Sequence, residues 1–234
     1  MFNMLPEPPV LFSLISPISL CELSRYDGAS FLEGASMTGH RRLVFATLLM
    51  GALLAPLALL AQDLHPSRRP SPVGWSRIAL GDTYISIVYG QPYKRGRNNI
   101  FGTKESGAVV PFGERWRTGA NEASEITFTR GVQIAGKPLA AGTYSLFTTP
   151  RADSWTVHLN SRLGLDGLGM LVDGKFTEVN LDPTDVLTVT AKPTTLAEEV
   201  DQFTIAFERT KTGADLVMRW IRTEVRVPIA TTAK

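Results

Sequence analysis

Cysteine is all but missing from this chain. The single Cys21 among 234 residues cannot close an internal disulfide, and it excludes thiolate-rich zinc sites of the finger or ribbon kind. Histidine is nearly as scarce. Of three, only His158 falls inside the part that reads as folded, far short of the three or four ligands a metal centre needs. No metal and no cofactor are therefore expected. A surplus of one charge is lacking too: 24 basic against 22 acidic side chains leave +2, which builds no field able to gather nucleic acid. The short basic cluster Lys94–Arg97 does not change that. No glycine–serine–glycine nucleophile elbow and no phosphate loop occur. Gly164, Gly167 and Gly169 follow a strand pattern without opening a helix, so they form no dinucleotide fingerprint. Sustained helical periodicity is absent beyond Trp75, which argues against a helical bundle.

One long apolar run is present. Leu43 to Leu60 spans 18 residues without a charge, preceded by His40, Arg41 and Arg42 and followed by Ala61 and the polar pair Gln62 and Asp63. A basic flank, an apolar core and a small residue before polar sequence form the pattern of a secretory signal peptide. As a helix the run would reach about 27 Å, near the thickness of a bilayer core, so an uncleaved membrane anchor over residues 43–60 is the competing reading. Pro56 breaks the helix near the cleavage point and favours the signal peptide. Residues 1–36 have no periodicity and no basic residue before Arg25, whereas a signal peptide begins close to its charged region. The expectation is therefore a start at Met37. Residues 1–36 would then be a non-native or disordered extension, 37–61 a signal peptide and 62–74 a linker, with an exported product, periplasmic or extracellular. Contact with a membrane is expected only through Leu43–Leu60, if it is retained.

From Trp75 onward apolar and polar residues alternate. Ile85, Ile87 and Tyr89 share one face; Ile126 and Phe128 face away from Glu125, Thr127 and Thr129; Trp155, Val157 and Leu159 share another. Val132–Ile134 and Leu139–Ala140 flank Ala135–Pro138 as a hairpin. Gly142–Thr148, Val186–Ala191, Phe203–Phe207, Leu216–Ile221 and Val225–Ile229 continue the pattern. Eight or nine short strands with turn signals between them predict an all-β domain over residues 75–230. The expected form is an antiparallel two-sheet sandwich of jelly-roll or Ig-like arrangement, preceded by the signal helix. Only Thr195–Val200 reads as a possible helical turn. His158 alternates away from Trp155, which predicts a solvated side chain.

The least strand-like stretch runs from Gly90 to Asn121. Its 32 residues exceed what a compact domain usually carries as an idle loop, and long loops on a rigid sandwich are common binding sites. Lys94, Arg95, Arg97 and Arg117 supply cations, Phe101 and Trp116 flat apolar surface, and Asn121 and Glu122 directional polar groups. Arginine forks bind carboxylate or phosphate through two parallel hydrogen bonds. The plainer alternative is that Phe101, Phe112 and Trp116 plug one end of the sandwich while Arg117 pairs with Glu122. Glu114 and Glu122 could pair as glycosidase carboxylates, though surface placement suits them better.

Several strings in this stretch and beyond it occur in a telling order: Tyr89–Pro92, Arg95–Arg97, Ile100–Gly102, Val110–Gly113, the heptad WRTGANE from Trp116 to Glu122, Ala141–Phe147 and Trp155–Val157. Together they resemble the bacterial family DUF2911 over roughly Ser71 to Ile229. The resemblance implies an exported, envelope-associated β-rich protein and names no activity. One departure stands out. After Asn160 similar proteins tend to carry a lysine and then a tryptophan–glycine pair, where this chain runs from Ser161 through Gly164 and Gly167 to Gly169.

Three functions follow as expectations. The first is a binding module for a small anionic or glycan-like envelope ligand. Arg97 and Arg117 would neutralise charge, Asn121 and Glu122 would orient the ligand, and Trp116 would stack on it. The second is a hydrolase of envelope polymers, with Glu122 as acid or base and Arg117 stabilising developing charge. The third is a purely structural or protein-interaction domain.

Overall fold

Alternation along the chain builds two large sheets in the computed structural model, which describes residues 69–231. The expected extension 1–36, the leader 37–61 and the start of the linker lie outside the described residues. The larger sheet contains β1 (Val73–Leu80), β2 (Thr83–Gly90), β5 (Ser124–Phe128), β8 (Gly142–Pro150), β9 (Trp155–Asn160) and β12 (Asp185–Ala191), in the order β1-β2-β5-β8-β9-β12, antiparallel throughout. The second contains β6 (Val132–Ile134), β7 (Lys137–Leu139), β13 (Pro193–Arg209) and β14 (Gly213–Thr231), in the order β13-β14-β6-β7. Two small pairs sit in the connections: β3 (Phe101–Gly102) with β4 (Val110–Pro111), which is parallel, and the hairpin of β10 (Gly169–Val172) with β11 (Lys175–Glu178).

The apolar positions read from the sequence meet in one core. Ile85, Ile87, Ile126, Phe128, Leu146, Val157 and Leu159 from the larger sheet pack with Phe203, Ile205, Leu216, Met218, Val225 and Val227 from the smaller. Each buried side chain of this size contributes about 1.5–3 kcal/mol. A second, smaller cluster forms on the outer side of the larger sheet. Phe147 points there from β8, and Ala123, Leu165 and Leu181 close over it. The excursion between β9 and β12 is thereby held down on the sheet, and this cover creates the concave surface described below.

Several expectations are corrected. Thr195–Val200 forms no helical turn; it belongs to β13 and pairs with β14 through two register shifts. Ala197, Glu198 and Glu199 fall inside the first shift, between the pairs Thr195–Thr223 and Val200–Ile221, where Arg222 Nη1 donates to the Ala197 carbonyl at 2.6 Å; strand pairing on either side overrides their helical propensity. The two segments expected at Leu216–Ile221 and Val225–Ile229 are one continuous strand, β14. Strand structure begins at Val73, inside the expected linker. The chain also contains β1, β3, β4, β10 and β11, for which the alternation signal names no strand.

Candidate functional site

The WRTGANE heptad forms a tight turn that two close approaches hold in place. Trp116 exchanges both backbone hydrogen bonds with Thr148 of β8, at 2.7 and 2.9 Å. At the other end Ala120 lies so close to Gly90 that a Cβ there would sit 2.0 Å from the Ala120 carbonyl oxygen; only glycine permits this contact. Thr118 (φ 52°), between these anchors, and Asn121 (φ 63°), just past the second, adopt left-handed backbone. A β-branched residue rarely does so. Thr118 is fully buried, its hydroxyl donates to Thr148 Oγ1 at 3.1 Å, and its carbonyl accepts from Ser124 Oγ at 2.7 Å. The surroundings thus over-determine a conformation the residue would not choose.

This turn forms one wall of a cleft of about 490 Å³, lined by Arg97, Val110, Trp116, Arg117, Asn121 and Asp166 among others. The volume lies within the range of small-molecule sites. Four of the five expected residues therefore share one space. Their states differ. Arg97 folds back on its own turn, donating from Nε to the Lys94 carbonyl (2.9 Å) and from Nη2 to the Tyr93 carbonyl (2.7 Å). Arg117 donates from Nη1 to the Asn121 carbonyl at 2.7 Å. Neither guanidinium has a carboxylate partner among the described residues. Asn121 spends its side-chain amide on the Ser71 carbonyl at 3.1 Å. Trp116 stacks on Trp220 (centroids 6.0 Å, planes 16° apart), meets Phe203 at 4.9 Å and donates its indole N–H to the Gly119 carbonyl. It belongs first to the aromatic plug of the core, together with Phe101.

Glu122, the fifth expected residue, lines a neighbouring cleft of about 720 Å³ that shares Asn121 and Asp166 with the first. The ion pair imagined between Arg117 and Glu122 does not form. Glu122 pairs with Arg69 instead. Partial burial raises the Glu122 pKa, but the hydrogen bond and charge of Arg69 outweigh it and hold the carboxyl below its usual range. Such a group is ionised at neutral pH and holds no proton to donate as an acid.

The prediction of a solvated His158 is also corrected. The imidazole does point away from the main core, but only 9% of the residue is exposed, because Arg115 and the excursion cover it. His158 Nδ1 lies 2.9 Å from Asp185 Oδ2, and Nε2 lies 3.1 Å from Thr149 Oγ1. Arg115 grips both oxygens of Asp185, at 3.1 and 2.7 Å, and reaches Asp182 at 2.9 Å. Asn160, fully buried, donates to Asp185 Oδ1 at 2.8 Å. Burial and then the Arg115 charge lower the His158 pKa, against the pull of Asp185. Burial raises the Asp185 pKa, and the hydrogen bonds from Arg115 and Asn160 more than reverse it.

Sequence reasoning passed over Asp166, Trp220 and the Arg115 network. Asp166 stands in a glycine-rich segment already marked as unusual, and that density of glycine was the available signal. Nothing local connects Arg115 to Asp185, 70 positions away. No group of acidic, histidine or cysteine side chains among the described residues is arranged to hold a metal ion. A family model described as "Protein of unknown function (DUF2911)" matches residues 71–229. No curated protein and no solved structure matches the chain.

Proposed function

The chain belongs to the DUF2911 family, and on that premise we propose that its β domain is a binding module for a small anionic ligand, held in the cleft between Arg97 and Arg117. One observation carries this reading: two guanidiniums line a single space of about 490 Å³ without a carboxylate partner among the described residues. Unspent arginine donors in a concave site favour carboxylate or phosphate oxygens. Trp116 serves as framework, since its indole N–H is occupied by the Gly119 carbonyl, and the Asn121 side chain is anchored through its amide nitrogen to the Ser71 carbonyl. The hydrolase reading has no comparable observation, because Glu122 and Arg117 line different clefts.

The test is calorimetric titration of the purified protein with citrate, phosphate and 3-phenylpropionate at low salt. Arg117→Gln is expected to weaken the best of these by about tenfold or more, as loss of a charge-assisted hydrogen bond requires. Unchanged affinity in folded Arg117→Gln and Arg97→Gln proteins would remove the proposal. Export through residues 37–61 is part of the same reading. Amino-terminal sequencing of the cellular product should begin at Gln62. A membrane-bound product that keeps Leu43–Leu60 would favour the anchor instead.

A further inference from the structure

The cleft carries a negative group as well as two positive ones. Asp166 is half-buried, lines the same space as Arg97 and Arg117, and its carboxylate has no hydrogen bond or ion pair among the described residues. Its backbone is fixed. Asp166 exchanges hydrogen bonds with Gly169 at 2.9 and 3.2 Å, bridges to Glu122, and sits next to Leu165, whose carbonyl accepts from Ala123 at 2.9 Å. The adjoining residue, Gly167 (φ 69°), lies directly against the Arg117 guanidinium: a Cβ there would come within 2.8 Å of Nη1. Arg117 and Asp166 are thus near neighbours in the wall of one cleft, yet they do not close the 4 Å needed for an ion pair.

An arginine and an aspartate in one pocket ordinarily collapse onto each other as a bidentate fork. Here each is tied elsewhere, Arg117 to the Asn121 carbonyl and Asp166 through its turn. A purely anionic ligand entering this space gains from the two arginines and loses against Asp166. A ligand bearing both charges gains from all three. The rest of the wall is mixed: Ser71 and Asn121 add polar edges, while Val109, 42% exposed, and the half-buried Trp116 offer a small apolar surface that would take an uncharged body. We infer that the cleft binds an amino-acid-like zwitterion, a free amino acid or a dipeptide with an apolar side chain. Arg97 and Arg117 would hold its carboxylate and Asp166 its ammonium group. This inference rests on the anion-site reading and refines it.

The experiment compares closely matched probes on the purified protein: phenylalanine, alanyl-phenylalanine, 3-phenylpropionate, which lacks the amine, and 2-phenylethylamine, which lacks the carboxylate. Affinity comes from calorimetry, and the Trp116 indole N–H resonance reports whether the probe sits in this cleft. Phenylalanine or the dipeptide should bind about tenfold tighter than 3-phenylpropionate, the size of one charge-assisted contact. Which of the two binds more tightly separates the free amino acid from the dipeptide. Asp166→Asn should erase that advantage and leave 3-phenylpropionate as tight or tighter, with an unchanged melting curve as proof of folding. If the zwitterions and 3-phenylpropionate bind equally to the wild-type protein, the zwitterion inference falls and the anion site stands. If no carboxylate probe moves the Trp116 resonance or binds, the inference falls together with the anion site. Arg117→Gln provides the second arm, since it should weaken every carboxylate probe while sparing 2-phenylethylamine.

Discussion

Arg115 and Arg117 stand two residues apart in one short segment, and they have opposite lives. Arg115 is spent: both oxygens of Asp185, one oxygen of Asp182 and the edge of His158 surround it, and only 17% of its side chain is exposed. The Arg117 guanidinium makes one hydrogen bond, to the Asn121 backbone, and lines an open cleft. The two aspartates mirror them, with Asp185 saturated and Asp166 unpaired among the described residues. A charged residue gripped by opposite charges inside the protein is a fastener. One left short of partners at a concave surface is available to something else. The same residue types therefore carry stability in one region and recognition in the other.

The strongest way to break this contrast is Asp185→Ala. It strands the largely buried Arg115 and removes the acceptor shared by His158 and Asn160, which should cost about 3 kcal/mol, the scale for removing one partner of a buried ion pair. Asp166→Asn should change stability by no more than about 0.5 kcal/mol, the range of substitutions away from such networks. Chemical denaturation of both variants reads the difference directly. Equal losses would mean that the two aspartates do the same job. Gly167→Ala comes next in size. Left-handed backbone costs a non-glycine residue about 1–2 kcal/mol, and the new Cβ would also push against the Arg117 guanidinium. A modest stability loss with a disproportionate loss of anion affinity is expected. Loss of stability alone would detach Gly167 from the site.

How much of this was legible in advance differs between the two regions for a physical reason. Strand alternation at Ile85–Tyr89, Ile126–Phe128 and Trp155–Leu159 is a local signal, and the core assembles from those residues. The hairpin β10–β11 carried no such signal, because Leu171, Val172 and Phe176 are exposed along with all of β11, so no face is consistently apolar. For the site, the density of arginine, tryptophan and asparagine in residues 90–122 pointed to the right loop and brought Arg97, Trp116, Arg117 and Asn121 to one cleft. What could not be read was which side chains were already engaged. Glu122 turned to Arg69, Asn121 to Ser71 and Arg115 to Asp185, all through partners 50 or more positions away. Pairings of that range are set by strand order, which short-range periodicity does not encode.

The smallest predicted effect sharpens the comparison from the side of pH. The folded protein holds the His158 pKa below its ordinary 6.5, chiefly through burial and the Arg115 charge. The unfolded chain therefore takes up the proton first as pH falls. Linkage then gives stability that is complete above about 6.5 and declines as pH drops from there toward the lowered folded value. Asp185 does not confuse this window: its pKa is also lowered by folding, so its contribution persists until pH falls below the ordinary carboxylate range. His158→Gln keeps a polar side chain but cannot titrate, and its stability should be flatter than wild type between pH 7 and pH 5. Anion affinity in the Arg117 cleft should show no matching change between the two proteins, because His158 touches Arg115, Asp185 and Thr149 and does not line that cleft. A pH profile of binding that moved with His158 would join the two regions into one device and end the division between fastener and site.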